Sequence, residues 1–318
     1  MKQEETRFDG RPRLCVVGSA NTDLIIKASR LPRPGETVCD GAFSIAAGGK
    51  GANQAVAAQR LGAAVSLVAT LGQDAFGDQA LQLYEAEGID VRFVARHASA
   101  ATGVAFILVD DKGENSIVAA AGANAHTTPA WVDQAAAAIR TAGALVLQLE
   151  IPLPAVIRAA EIAAENKVPV ILNPAPAAAV PDSLLAMVDT LTPNEWEAQA
   201  LTDLAVKDDD SAHRAAQKLL AKGVRTVIIT LGSRGAWLET HDQAEHIPAF
   251  AVQAQDTTAA GDVFTAALAV ALTEKRTLWQ AVRFASAAAA ISVTRLGAQP
   301  SAPERKQVEK WLAERPKG

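Results

Sequence analysis

Asp256-Thr257-Thr258-Ala259-Ala260-Gly261-Asp262 runs without a break into the apolar segment Val263 to Leu272, and it marks a change of rhythm in the chain. Upstream, short apolar runs alternate with helical periods; downstream the pattern is helical only. The small residues Ala259, Ala260 and Gly261 precede a helix start, where unpaired main-chain N–H groups and a partial positive charge attract anions. Beside such a pocket, Asp262 is placed to take a proton from a hydroxyl while the N–H groups of Ala260 and Gly261 stabilise a phosphoryl group. Taken alone, the heptapeptide favours the plainer role of Asp262 as a helix cap, one that Asp often fills.

Working outward, Leu14 to Val17 and Val65 to Thr70 read as buried strands, with a helix over Ala52 to Leu61 between them closed by Gly62. The alternation continues through strand Ala144 to Leu149, helix Pro154 to Glu165, strand Val170 to Asn173, helix Ser211 to Lys222 and strand Thr226 to Thr230. Helices over Val263 to Leu272, Leu278 to Thr294 and Pro303 to Glu314 complete it. This order predicts an α/β fold with a mostly parallel sheet covered on both faces. Two stretches break the rhythm, Asp23 to Ala46 and Gly103 to Ala119, the second with a turn at Asp110-Asp111-Lys112-Gly113. Their alternating residues predict a small antiparallel sheet standing off the main body.

Composition narrows the function. The 318 residues, 49% of them hydrophobic, suffice for a large α/β domain. A net charge of -5 without a basic stripe speaks against nucleic acid as the main partner. No run approaches the ~18 to 20 apolar residues of a membrane span, and the polar opening Met1 to Arg13 lacks a signal-peptide core. A flexible tail over 1–13, a cytoplasmic location and no membrane partner are therefore expected. Cys15 and Cys39 have no metal-ligand spacing and read as buried or inert thiols of a reducing compartment, and the scattered histidines make a zinc site improbable.

Several chemistries fall by inspection. Gly48-Gly49-Lys50-Gly51 is no Walker loop, because Ser44 and Gly51 stand where that loop needs Gly and Ser or Thr. Gly232-Ser233-Arg234-Gly235 lacks the spacing of a nucleophile elbow. Four polar constellations remain, which a doubly wound sheet would gather at the carboxyl ends of its strands. Asn21-Thr22-Asp23 follows the first strand, and Gly48-Gly49-Lys50-Gly51-Ala52-Asn53 leads into a helix. Their amides and carboxylate suit a polyhydroxylated ligand, with glycines letting it touch backbone; an Asx-type turn and a flexible loop are the plainer alternatives. In Thr192-Pro193-Asn194-Glu195-Trp196-Glu197, Thr192 as cap, Pro193 at the first helical position and Glu195 form a capping box. That leaves Asn194 and Glu197 on one helical face, placed for hydrated magnesium near phosphates. Thr230-Leu231-Gly232-Ser233-Arg234-Gly235 is a strand end with a glycine turn, either a plain hairpin or a floor for a nucleotide.

Together these residues resemble the ribokinase-like (PfkB) carbohydrate kinases, from about Leu14 to Ser301. The likeness rests on Gly-Gly-Lys-Gly-Ala-Asn-Gln-Ala at 48–55, Asn-Pro-Ala-Pro-Ala at 173–177, Thr-Pro-Asn-Glu at 192–195, Thr-Leu-Gly-Ser-Arg-Gly at 230–235, the 256–262 heptapeptide and Gly-Ala-Gln-Pro-Ser at 297–301. The resemblance implies a single kinase domain over 14–318, a three-layer α/β/α core of the nine-stranded type and a β lid (about 24–46 and 103–119). The lid closes over sugar and often pairs two chains into a homodimer. It also implies ATP-dependent phosphorylation of D-ribose at its primary hydroxyl, with Asp262 as base and Ala259, Ala260 and Gly261 as anion hole. Asn21, Thr22, Asp23, Gly49, Lys50, Gly51, Ala52, Asn53 and Glu150 would form the sugar site. Asn194, Thr230, Leu231, Gly232, Ser233, Arg234, Gly235 and Ser286, with Gly261 and Asp262, would line the nucleotide site. Asn194 and Glu197 would support Mg2+ through water, and Asp256, Thr258, Ser292, Arg295, Gly297 and Ser301 would hold an activating K+, several through backbone oxygens. The chain departs from the family pattern at Thr22, at Val263, Thr265 and Ala266 behind the catalytic Asp, and at Ser286 near the adenine. A kinase for deoxyribose or a nucleoside, and a non-catalytic sugar-binding regulator, are the competing readings.

Overall fold

The structure, a computed structural model, describes residues 10–112 and 114–315. The expected tail lies largely outside them, over residues 1–9, and Arg13 already belongs to the first strand. The main sheet has nine strands in the order β13-β12-β11-β10-β9-β8-β1-β4-β5. These are β1 (Arg13–Val17), β4 (Ala64–Gly72), β5 (Asp90–His97), β8 (Ala144–Leu147), β9 (Val170–Leu172), β10 (Thr190–Leu191), β11 (Thr226–Thr230), β12 (Ala236–Glu239) and β13 (Ala244–Ile247). All neighbours run parallel except the terminal β11-β12-β13 meander.

A central strand covered on both faces must be apolar at every position. In β1, Leu14 and Val16 enter one core, while Cys15 and Val17 enter the other. The first core packs under α1 (Lys50–Arg60), α2 (Ala75–Ala86), α9 (Ala260–Thr273), α10 (Leu278–Ser292) and α11 (Arg305–Glu314). The second lies under α3 (Pro129–Gln134), α4 (Ala136–Arg140), α5 (Leu153–Glu165), α6 (Asp182–Leu185), α7 (Glu195–Thr202) and α8 (Asp209–Leu220). The alanine enrichment has a packing use. Ala52, Ala55 and Ala58 of α1 and Ala266, Ala267 and Ala269 of α9 are all buried, so two helices of small side chains fit tightly beside the sheet.

The smaller sheet holds β3 (Ala42–Gly48), β2 (Asn21–Lys27), β6 (Gly103–Val109) and β7 (Asn115–Ala120), in that order. Its outer pairs are antiparallel, but β2 and β6 run parallel, so the wholly antiparallel lid expected from sequence is corrected to a mixed one. Both central strands leave the main sheet outward, β2 just after β1 and β6 soon after β5, and their common direction fixes the parallel pairing. Of the turn at 110–113, Gly113 lies outside the described residues; Asp110 Oδ1 accepts from the N–H groups of Lys112 and Glu114 and closes it.

Candidate active site

α9 begins at Ala260 after Ala259, which adopts a left-handed φ of 58°. Asp262 is therefore not the cap of the helix but its third residue, and the cap makes no side-chain bond. The carboxylate points into the protein and is 4% exposed. Its Oδ2 accepts from Asn53 Nδ2 and its Oδ1 from Gln54 Nε2, both at 3.0 Å. Burial raises its pKa, against the opposing influence of Lys50 and these two amides. Of the first N–H groups of α9, that of Ala260 donates to Thr257 O at 3.2 Å, which corrects the expectation that it is free for an anion. Among the described residues, the N–H groups of Ala259, Gly261 and Asp262 meet no protein acceptor. A Cβ added to Gly261 would meet nothing within 4 Å, so this turn is open.

α1 starts differently. Lys50 N–H donates to Glu150 Oε2 at 3.0 Å, Gly51 N–H to Ser19 Oγ at 3.4 Å and Ala52 N–H to Ser19 O at 2.8 Å. Ser19 Oγ also donates to Glu150 Oε2 at 2.5 Å. The glycines here admit close packing of the chain itself: a Cβ on Gly49 would lie 2.6 Å from Asn21 N, and one on Gly51 2.6 Å from Ser19 N. Ala52 is buried in the core, and its N–H is already given to Ser19 O. Near this turn lies an acidic group. Asp23 is 8% exposed, and burial, reinforced by Glu150 and Asp262, pushes it up to about 6. Thr22 beside it is buried, and Asn21 Oδ1 accepts from Asn124 Nδ2 at 2.7 Å.

A pocket of about 200 Å³ unites Lys50, Asn194, Glu197, Thr230, Thr257 and Ala259 through Asp262, with Asn173, Ala175 and Thr192. Lys50 is thus placed among the residues read for nucleotide as well as beside the sugar residues. The carboxylates of Asp262, Glu150 and Glu197 together raise its pKa against the desolvation that lowers it. The cap of α7 is Asn194, not Thr192: Asn194 Oδ1 accepts from Glu197 N–H, and Glu197 Oε2 accepts from Asn194 N–H, both at 2.8 Å. Thr192 is still tied to the sheet through its N–H to Leu172 O, and its hydroxyl pairs with Thr265 at 3.0 Å. Glu195, freed of capping, pairs with Arg234 at 2.6 Å. Capping therefore explains Asn194 and Glu197, while both still face the pocket. Glu197 is buried, and burial raises its pKa.

Beyond Thr230, Gly232–Arg234 form a 3-10 turn leading into the antiparallel β12, so the segment is a hairpin bordering the pocket. Ser233 and Gly235 belong to this turn and its exit, whereas the Leu231 side chain is buried in the core and offers a ligand only its backbone. Ser286 is half-buried on α10 and does not line the pocket. Of the residues read for potassium, Asp256, Thr258 and Gly297 are brought together. Asp256 Oδ1 accepts from Thr258 N–H and Oδ2 from Gly297 N–H, both at 2.8 Å, linking the turn before α9 to the loop after α10. These bonds, with the Thr258 hydroxyl, hold Asp256 below its ordinary pKa despite partial burial. Ser292 and Ser301 are buried, with hydroxyls donating to Ala289 O and Ala298 O, and Arg295 N–H donates to Ser292 O.

Three positioning amides escaped the sequence reading. Gln148 Nε2 donates to Gln54 Oε1 at 2.5 Å, Gln54 Nε2 reaches Asn173 Oδ1 as well as Asp262, and Asn173 Nδ2 donates to Thr192 O. Lys50, Asn53 and Gln54 form a polar stripe at i, i+3 and i+4 on an alanine-rich helix, and that spacing was the available signal. Asn124 was missed too; it ties the β1-to-β2 junction through Ala20 N–H and O.

The pocket thus gathers a buried carboxylate in the first turn of a helix, open main-chain N–H groups and a lysine, at the carboxyl edge of a parallel sheet where α/β proteins bind ligands. The pattern of the pfkB family carbohydrate kinases matches residues 11–305, and the chain belongs to that family. It is 46% identical over 302 residues to a ribokinase of Haemophilus influenzae, covering 95% of this chain and 99% of that one. It is 38% identical over 301 residues to a deoxyribokinase of Salmonella typhi, covering 94% and 98%. Arabidopsis thaliana ribokinase, solved with ribose and ATP, superposes with a TM-score of 0.90 at 37% identity, covering 95% and 99%.

Proposed function

We propose that this enzyme transfers the γ-phosphoryl group of ATP to the primary 5-hydroxyl of D-ribose, with residues 14–318 acting as one kinase domain. The observation that carries the reading is Asp262: a buried carboxylate of raised proton affinity beside main-chain N–H groups with no protein acceptor. Asp262, held at both oxygens by Asn53 and Gln54, takes the hydroxyl proton as the sugar oxygen attacks. The N–H groups of Ala259 and Gly261, in the turn containing Ala260, stabilise charge on the transferring group, and Lys50 neutralises it from the other side. Asn21, Asp23 and Glu150 hold the sugar hydroxyls. The hairpin from Thr230 to Gly235 lines the nucleotide, with Ser286 towards its base.

The donors present suit the implied cations. Glu197 uses one lone pair of each oxygen in capping, so it and Asn194 would hold Mg2+ through water; Mg2+ would offset triphosphate charge. Asp256, held ionised, with the hydroxyl and carbonyl oxygens of Thr258, Ser292, Arg295, Gly297 and Ser301, suits the hard cation K+. Ribose is favoured over deoxyribose because Asn21, whose carbonyl is taken by Asn124, keeps its amide as a donor for a ring hydroxyl.

The lid also supports a homodimer. Ile45, Leu24, Phe106 and Val118 form one cross-strand row, and Phe43 lies on the same face. Phe43, Ile45, Phe106 and Val118 are all at least half exposed. Phe106→Asp should halve the mass measured by light scattering; an unchanged mass would place the interface elsewhere. We also place the enzyme in the cytoplasm. Its free thiols, Cys15 buried and Cys39 exposed, fit a reducing compartment. Among the described residues no helix is long and apolar enough to cross a membrane.

The test is ADP release with Mg2+ and ATP against ribose, deoxyribose, fructose, adenosine and uridine, each with and without K+. Ribose-selective turnover raised by K+ supports the whole proposal. Preference for another acceptor would replace the substrate, and silence throughout would make this a sugar-binding protein.

A further inference from the structure

A second pocket, of about 430 Å³, opens between α10 and α11, lined by Arg276, Trp279, Gln280, Arg283, Leu312 and Arg315. It shares no residue with the pocket around Asp262. Its volume suits a small metabolite. At its floor Arg283 is only 4% exposed, and its guanidinium lies 4.5 Å from the Phe250 ring centroid and 5.3 Å from that of Trp279. Nη2 donates to Arg315 O at 3.2 Å, but Nη1 is buried with no hydrogen-bond partner. Among the described residues no carboxylate pairs with Arg283.

The neighbouring charges do not compensate it. Glu274 is shared between Arg276 at 2.9 Å and Arg305. Arg315 stacks 3.9 Å from the Trp311 ring centroid, with only the Glu314 carboxylate, 3.4 Å away, beside it. Trp311 Nε1 is a second buried donor without an acceptor, and its ring packs edge-on against the same Phe250. Buried cations are normally paired, and buried donors normally bonded. Here a buried cation without a carboxylate partner and a half-exposed arginine line a concavity with an aromatic wall, Trp279, which is the chemistry of an anion site.

We propose that this pocket binds a phosphate-bearing small molecule, its phosphate oxygens taken by Arg283 and Arg315 and its body resting on Trp279. The free ion and a phosphate ester share this chemistry, and titration distinguishes them. The full-length protein is titrated with inorganic phosphate and, separately, with AMP, followed by calorimetry and by tryptophan fluorescence. Saturable binding of either ligand is expected, tighter for AMP if the ester body uses Trp279, equal if the site reads phosphate alone. Arg315→Gln, at a half-exposed position, should weaken binding about tenfold or more, as loss of a charged hydrogen bond does. Arg283→Met should do the same, its thermal unfolding checked in parallel, and Trp279→Phe should remove the fluorescence change. Lys50→Ala should leave the binding intact, because Lys50 belongs to the other pocket. Absence of saturation by both ligands would overturn the proposal. So would binding lost in Lys50→Ala but kept in Arg315→Gln, which would assign it to the catalytic pocket.

Discussion

The N-termini of α1 and α9 meet at one pocket, and both follow small-residue turns, yet the chain treats them in opposite ways. At α1 the protein supplies acceptors for the helical residues of the first turn, Glu150 taking the N–H of Lys50 and Ser19 those of Gly51 and Ala52, and leaves only that of the cap Gly49 without one among the described residues. At α9 only Ala260 is provided for, by Thr257. A helix start is an anion site only where its donors are left to a ligand. The α1 turn is accordingly scaffolding, which delivers Lys50, Asn53 and Gln54 to Asp262, and the α9 turn is the place for chemistry. A glycine-rich motif by itself does not distinguish these uses.

The sharpest way to break this contrast is at Asp262. Asp262→Asn should keep the fold and the bonds to α1 nearly intact while lowering kcat by about 10²–10⁴-fold, the range for loss of a general base. Near-normal kcat in a steady-state assay would remove Asp262 as base. Next come the two glycines. Gly261→Val should fold normally, since its Cβ meets nothing within 4 Å, but should lower kcat about 10²-fold by blocking approach to the main chain. Gly51→Ala should do the reverse: its Cβ would press on Ser19 N and Gly18 C, destabilising the fold by about 1–3 kcal/mol. Thermal unfolding and kcat measured on both variants check the pair. If Gly51→Ala lost kcat at full stability, α1 would be a ligand site after all.

The strands β1, β4, β8, β9 and β11 were legible because burial on both faces leaves mostly apolar residues, and β11 falls at Thr226–Thr230, as its run predicts; β5 and β13, largely unburied, the two-residue β10 and the short β12 gave no such run. The lid was legible as strands but not as a pairing, because partners such as Asn21 and Gly103 are distant in sequence and their direction depends on where β1 and β5 lead. At α7 two overlapping capping boxes, Thr192 with Glu195 and Asn194 with Glu197, satisfy the same pattern. What decides between them is the Thr192 N–H bond to Leu172 O, a contact made across the sheet. Asp262 was legible as an important residue, but its orientation was not, since the amides that hold it come from α1, 209 and 208 residues earlier in the chain.

The smallest effect tests whether the closed α1 turn also tunes the open one. Asp23 ionises at about 6 when folded against an ordinary 3.8, so between those values the folded protein holds the extra proton. Stability should therefore fall as pH rises through this window and level off above it, and Asp23→Asn should abolish that slope in unfolding measured by denaturant. Sugar affinity should run the other way, strengthening as Asp23 ionises and becomes a full acceptor for hydroxyls. Glu150 is one cause of the raised value, and Glu150→Gln keeps an oxygen for Lys50 N–H while removing the charge. The acidic limb of kcat/KM for the sugar should then move to lower pH by less than about one unit, the scale of one neighbouring charge partly screened by solvent. An unmoved limb would mean that the carboxylate closing α1 is electrically separate from the sugar site, and that its role ends at holding the helix.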